Sequence, residues 1–116
     1  MGNPVVHFEI VNKDHKALVD FYGDIFDWTM NPFEEMPYTG IDTDPGARPT
    51  GGIGAPPEGY PGHVTFYVMV DDLDGKLAEI ESKGGKTVQP PMDVPNGPTI
   101  ALFADPAGNT IGLIKS

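Results

Sequence analysis

The chain carries the same strand–helix pattern twice, and this internal repeat limits what it can fold into. His7 opens the run His-Phe-Glu-Ile-Val, which is followed by Asp14 and a helical pattern over residues 17–26. His63, 56 residues later, opens the run His-Val-Thr-Phe-Tyr-Val-Met-Val, which is followed by Asp72 and a second helical pattern. Each copy therefore places a histidine at the same point of its first strand. Symmetric packing of the two copies would bring both imidazoles to one cavity.

Composition excludes several classes of protein. Seven Lys and Arg stand against 17 Asp and Glu, and a net charge of −10 would repel the phosphates of a nucleic acid. No apolar run approaches the ~20 residues that cross a bilayer, and the opening Met-Gly-Asn-Pro has no secretory pattern. The chain has no cysteine, which rules out disulfides and thiolate metal sites. We expect one cytoplasmic domain over residues 1–116, with no nucleic-acid or membrane partner.

Each half is predicted to contain a strand, a helix and three further strands. In the first half, strands are predicted at residues 5–11, 28–30 and 37–41, with Asp14 as the cap of a helix whose apolar positions include Phe21 and Ile25. A Gly- and Pro-rich segment, residues 43–62, reads as a linker with at most a short strand at 50–54. The modules thus span about residues 1–55 and 60–116.

The second half is the clearer of the two. Asp72 should cap its helix, and Gly84-Gly85 should end it. Strands are predicted at residues 63–70, 86–89, 99–104 and 110–114, with a loop at 90–97. Alternation in the first of these strands predicts that Val64, Phe66, Val68 and Val70 face the helix, while His63, Thr65, Tyr67 and Met69 line a semi-polar cavity.

Three segments resemble one known superfamily, in the right order and spacing. They are Leu18-Val-Asp-Phe-Tyr-Gly-Asp-Ile-Phe-Asp-Trp, Gly62-His-Val-Thr-Phe-Tyr-Val-Met-Val-Asp-Asp and Phe103-Ala-Asp-Pro-Ala-Gly-Asn-Thr-Ile-Gly-Leu. The chain resembles the vicinal oxygen chelate superfamily of glyoxalase I, extradiol dioxygenases and bleomycin resistance proteins, and most of all its small glyoxalase-related branch. The resemblance implies an α+β fold in which two βαβββ modules form an open curved-sheet barrel with a central cleft. It also implies a homodimer, because proteins of this type commonly pair.

The resemblance also implies where a metal would be held. Metal-dependent members take ligands from the first and last strand of each module, which here offer His7, one of residues 51–54, His63 and Gly112. Glycine has no side-chain donor, so the usual four-ligand site cannot form. Two possibilities remain open. His7 and His63 hold Zn, Ni, Fe or Mn with Glu9 as a third ligand, or they line a metal-free pocket, which we favour.

The sequence therefore predicts a small-molecule-binding glyoxalase-like protein without the usual metal site. The alternative is a metal-dependent lyase, isomerase or dioxygenase that uses His7, His63 and Glu9, and a third possibility is an interaction domain with an empty cleft. Glu9 is the candidate general base.

An aromatic and acidic cleft would suit a planar cationic ligand, and Tyr60 is a further candidate for its lining. The predicted ligand-binding residues are His7, Glu9, His63, Thr65, Tyr67 and Phe103.

Overall fold

The computed structural model describes residues 2–116, and this part of the chain contains two helices and eight strands. Their order is β-α-β-β-β in each half, which confirms the predicted α+β class and the two βαβββ modules. Neither helix is long and apolar enough to cross a bilayer. The elements are β1 (Val5–Val11), α1 (His15–Phe26), β2 (Thr29–Pro32), β3 (Tyr38–Asp42), β4 (Thr50–Gly54), β5 (His63–Val70), α2 (Leu73–Ser82), β6 (Lys86–Asp93), β7 (Thr99–Ala104) and β8 (Thr110–Lys115).

The chain divides into two compact units that repeat one topology. The first unit is Val6–Val64, and the second is Thr65–Ser116 together with the residues before Val6. Strand order is β2-β3-β4-β1 in the first unit and β5-β8-β7-β6 in the second. In both units the first strand pairs in parallel with the last, and the other pairs are antiparallel. The predicted internal repeat is thus present in the pairing as well as in the element order.

The second unit has an aliphatic core between α2 and the sheet. Leu73 and Leu77 of α2 are buried, and they cluster with Val70, Ala101 and Leu113. As predicted, the Asp72 side chain caps α2 by accepting from the amide of Gly75, at 3.1 Å. Gly84 follows the end of α2 and has a φ of +99°, which glycine adopts without steric cost. The helix therefore ends at the Gly84-Gly85 pair as predicted.

The first unit is built around close contacts with the glycines of β4. The Phe8 ring lies where a side chain at Gly51 would begin, and it contacts Trp28 with ring centroids 5.8 Å apart. On the opposite face, the Tyr38 ring lies where side chains at Gly52 and Gly54 would begin. A glycine within a strand commonly marks such a close approach. The Gly-rich segment predicted as a linker therefore contains a strand that two aromatic rings cover directly.

Several local predictions differ from the structure. Phe21 and Ile25 are 54% and 58% exposed, so the helical periodicity of α1 does not place them in a core. Val64 is 78% exposed and Phe66 is exposed as well, so only the C-terminal half of the apolar face of β5 packs on α2. Asp14 is the N-cap residue of α1, but its side chain makes no capping hydrogen bond.

The loop predicted at residues 90–97 is wrong in its first half. Strand β6 continues through Pro90 and Pro91 to Asp93, with register shifts after Thr87 and after Gln89. Proline lacks an amide donor, and it is tolerated in a sheet at edge strands and bulges. Strand β6 is the last in the order of its unit, and both prolines lie at the irregularity between Gln89 and Met92, outside the residues paired with β7.

The packing of Tyr38 on β4 predicts that Gly52→Ala destabilises the protein. The added methyl would overlap the Tyr38 hydroxyl, and overpacking of this kind costs about 1–3 kcal/mol of unfolding free energy. Denaturant unfolding should show this loss, whereas Gly2→Ala, with no atom within 4 Å of the added carbon, should be near neutral. In a Tyr38→Ala background the same substitution at Gly52 should cost much less. Equal costs in both backgrounds would contradict the contact.

A candidate ligand-binding site around Glu9

The candidate site is built on the face of β1 that carries His7 and Glu9. These residues are two apart on one strand, so their side chains point to the same side. In the parallel pairing with β4, His7 is opposite Thr50 and Glu9 is opposite Gly52. Because Gly52 has no side chain, the ring of Tyr38 from β3 reaches across β4 toward β1.

One chain of hydrogen bonds runs from Thr50 to Glu9. Thr50 Oγ1 lies 2.9 Å from Nδ1 of His7, and Nε2 of His7 lies 2.8 Å from the Tyr38 hydroxyl. The hydroxyl donates to Oε2 of Glu9 at 3.3 Å, because a carboxylate can only accept. With its proton so used, the Tyr38 oxygen accepts from Nε2–H of His7. The neutral imidazole then accepts from Thr50 at Nδ1.

A second chain reaches Glu9 from the other side. Nε2 of His63 donates to Oε1 of Glu9 at 3.0 Å, and Nδ1 of His63 lies 2.8 Å from the Tyr60 hydroxyl. When His63 is neutral, Tyr60 is the donor to Nδ1. Both chains therefore end at the same carboxylate. We call these six residues the Glu9 network: Thr50, His7, Tyr38, Glu9, His63 and Tyr60.

The Glu9 network is largely shielded from solvent but open at one end. The side chains of His63 and Glu9 are 11% and 13% exposed. Tyr60 also lines a groove of about 500 Å³, whose other walls are Lys13, His15 and the segment from Ala55 to Pro61. The network thus connects Glu9 to the surface of the first unit through His63 and Tyr60.

Burial shifts the protonation of His7. Desolvation lowers the pKa of this imidazole below the ordinary value of 6.5, and the nearby Glu9 carboxylate offsets part of that effect. A neutral His7 agrees with the hydrogen-bond directions above, because Nδ1 is then free to accept from Thr50.

The structure brings together three of the six predicted ligand-binding residues. His7, Glu9 and His63 lie in the first unit and belong to the Glu9 network. Thr65, Tyr67 and Phe103 lie in the second unit, where each has a structural contact. Thr65 donates to the carbonyl of Thr110 at 2.7 Å, Tyr67 covers Gly112, and Phe103 packs against the core beside α2. Their participation in ligand binding stays a prediction.

The residues present do not fit the four-ligand metal site of the resembled superfamily. Gly52 and Gly112 stand on the last strand of each module, and a tyrosine ring, of Tyr38 or Tyr67, fills the space where each side chain would begin. Among residues 2–116, no group of three or more His, Cys, Asp or Glu is arranged to hold a metal. A side chain introduced at Gly112 would overlap the Tyr67 ring, so Gly112→Glu would not simply supply a ligand at this position.

Tyr38 and Thr50 are the site residues that sequence reasoning did not identify. Their positions depend on the pairing of β3 and β4 with β1, which local patterns do not reveal. The spacing of Gly52 and Gly54, two residues apart on one face of a strand, was the available signal, because it indicates that a large side chain crosses that face.

A family model and sequence relatives match most of the chain. The model of the Glyoxalase/Bleomycin resistance protein/Dioxygenase superfamily matches residues 5–113. The anthracycline biosynthesis protein DnrV of Streptomyces peucetius is 32% identical over 118 aligned positions, which cover 87% of this chain and 42% of that protein. The chain thus spans less than half the length of this relative.

Solved structures share the fold at low sequence identity. A variant of methylmalonyl-CoA epimerase from Streptomyces coelicolor, in complex with 2-nitronate-propionyl-CoA, is similar with a TM-score of 0.65 and 20% identity, over 100% of this chain and 96% of that one. The Mn(II)-bound glyoxalase from Novosphingobium aromaticivorans is similar with a TM-score of 0.70 and 17% identity, over 98% of this chain and 39% of that one. At these identities the likeness shows the fold alone.

The lowered pKa of His7 predicts that the protein loses stability as the solution becomes acidic. The unfolded chain takes up a proton near pH 6.5, whereas folded His7 resists it, so the free energy of unfolding falls as pH drops below that value. The loss levels off once pH passes below the folded pKa. NMR titration should give a His7 midpoint below 6.5, and His7→Asn should flatten the dependence of stability on pH in this window. A midpoint above 6.5 would contradict the burial argument.

Proposed function

Because the chain belongs to the Glyoxalase/Bleomycin resistance protein/Dioxygenase superfamily, we propose that it binds a small molecule at the Glu9 network without the four-ligand metal set. The observation that most supports this proposal is that all ring nitrogens of His7 and His63 form hydrogen bonds within the protein. Each ring nitrogen of His7 and His63 is already within 3.0 Å of a hydroxyl or carboxylate oxygen. A metal ligand must offer a nitrogen lone pair, whereas these rings donate at Nε2 and accept at Nδ1 within the protein.

The chemistry of the site supports a carbonyl-containing or phenolic ligand. The hydroxyl of Tyr38 is a hydrogen-bond donor that suits a ligand oxygen, and Glu9 is the proposed general base. The relative DnrV is named for anthracycline biosynthesis, and the epimerase structure holds an acyl-CoA analogue. Both names are compatible with a ligand that contains a carbonyl group.

The substitution Glu9→Gln should change ligand binding and leave metal content near zero. It keeps the shape of the side chain but removes the carboxylate on which both hydrogen-bond chains end. A thermal-shift screen of planar carbonyl and phenolic compounds, an anthracycline included, should find ligands whose affinity changes by about tenfold in this variant. Glu34→Gln removes the same charge at an exposed loop position and serves as the control.

Metal analysis of protein purified without an affinity tag separates this proposal from the alternative. A substoichiometric content of Zn, Ni, Fe and Mn is expected, together with ligand binding that EDTA does not abolish. Stoichiometric metal that His7→Ala and His63→Ala both remove would instead favour a metal-dependent lyase, isomerase or dioxygenase that uses these histidines and Glu9.

We also propose that the protein is a cytoplasmic homodimer. Helix α1 exposes Phe21, Ile25 and Phe26 by 53–58% each, and apolar groups clustered on one surface commonly mark an interface. Sedimentation should give a dimer at micromolar concentration, and Phe21→Lys with Ile25→Lys should yield a folded monomer, because two buried charges would oppose association. Lys16→Glu, also on α1 but outside the apolar cluster, is the control. A monomer in the unmodified protein would refute the proposal.

A further inference from the structure

We infer that the Tyr38 hydroxyl is the group that holds the oxygen of a bound enolate or phenolate, taking the electrostatic role that a metal would otherwise play. This inference rests on the proposed function, because it assigns a chemical class of ligand and a catalytic residue to the same site.

Tyr38 occupies the space of the missing ligand side chain. Its hydroxyl lies where a side chain at Gly52 would begin, and the ring also covers Gly54, so β4 has no side chain of its own at this point of the site. The hydroxyl lies 2.8 Å from Nε2 of His7 and 3.3 Å from Oε2 of Glu9. A donor is therefore fixed beside the base, on the face of the sheet where both polar side chains of β1 point.

His7 strengthens Tyr38 as a donor. Because Nε2–H of His7 donates to the Tyr38 oxygen, it stabilises negative charge that grows on that oxygen when the phenol gives up its proton. Thr50 in turn holds His7 in this tautomer by donating to Nδ1. Burial keeps His7 neutral, so the chain supplies oriented dipoles rather than a mobile cation.

These groups are suited to proton transfer beside a carbonyl group. The Glu9 carboxylate takes a proton from the carbon next to the ligand carbonyl. The electron pair of that C–H bond forms a carbon–carbon double bond, and the carbonyl π pair moves to the oxygen. Tyr38 turns its hydroxyl from Glu9 to this oxygen and stabilises the charge. Return of the proton from Glu9 to a different carbon of the conjugated enolate completes an isomerisation, so no co-reactant is needed.

The charge of Glu9 gives the inference a sharp test. An oxyanion next to an ionised Glu9 is repelled, whereas in the reaction the charge appears on the ligand only after Glu9 has taken up the proton. A neutral residue at position 9 mimics that protonated state. Glu9→Gln should therefore bind an oxyanion more tightly than the unmodified protein does, although it has lost the base.

The experiment is a titration with 4-nitrophenolate in buffer containing EDTA, followed by absorbance. We expect Glu9→Gln to bind 4-nitrophenolate about tenfold more tightly than the unmodified protein does. The double variant that combines Glu9→Gln with Tyr38→Phe should bind it about tenfold or more weakly than Glu9→Gln alone. Glu9→Gln with Tyr22→Phe is the matched control, since Tyr22 lies on α1 in an aromatic cluster with Phe21, Phe26 and Trp28, and should bind as Glu9→Gln does. Thermal melts establish that each variant is folded.

A second measurement does not depend on the Tyr38 variant. In Glu9→Gln alone, affinity across a series of substituted phenolates should vary regularly with their basicity, as expected for a hydrogen bond to a charged oxygen. The inference would be overturned if Glu9→Gln did not raise the affinity for phenolates, or if adding Tyr38→Phe to Glu9→Gln did not lower it. It would also be overturned if no phenolate bound at all. If those results accompany a metal-free ligand whose binding depends on Glu9, the proposed function stands and only the inference fails. Stoichiometric metal bound by His7 and His63 would contradict the proposed function itself.

Discussion

The close approach of Tyr38 to β4 is the constraint on which the first unit depends. Because Gly52 and Gly54 have no side chains, the ring lies directly against the strand and its hydroxyl reaches His7 and Glu9 on β1. Any side chain at Gly52 would push the ring away and break the hydrogen-bond chain. Packing and the hydrogen-bond network are thus coupled here, because the same two glycines that let the ring contact the strand also determine that the Tyr38 hydroxyl lies beside Glu9.

The sequence was sufficient for the architecture because the signals that define it are local. The strand pattern at each histidine and the cap at Asp72 each lie within about ten residues. The structure has a strand at His7, a strand at His63 and a helix capped by Asp72, as predicted. The errors occur where a local pattern does not decide burial. The periodicity of α1 predicts an apolar face, yet what covers Phe21 and Ile25 depends on partners that no local pattern reports.

The site was predicted in part for the same reason. His7 and Glu9 share a face of one strand by simple alternation, and the repeat singles out His63, so these three residues could be found from sequence. Tyr38 and Thr50 could not, because the registers that place them are set by pairing between β3, β4 and β1. A glycine-rich strand indicates that another group packs closely against it, but the glycines do not identify which side chain that is.

Glu9 determines the electrostatics of the network because both hydrogen-bond chains end on its carboxylate. The Tyr38 hydroxyl and Nε2–H of His63 both donate to it, so protonation of Glu9 would weaken both hydrogen bonds. In the proposed reaction, a ligand oxygen that becomes negative as Glu9 is protonated would supply a charged acceptor for the Tyr38 hydroxyl. Under that proposal one unit of charge passes between Glu9 and the ligand, and no additional cation is required. The proposed chemistry therefore needs no carboxylate at position 52 or 112, and at each of these glycines a tyrosine ring lies where a side chain would begin.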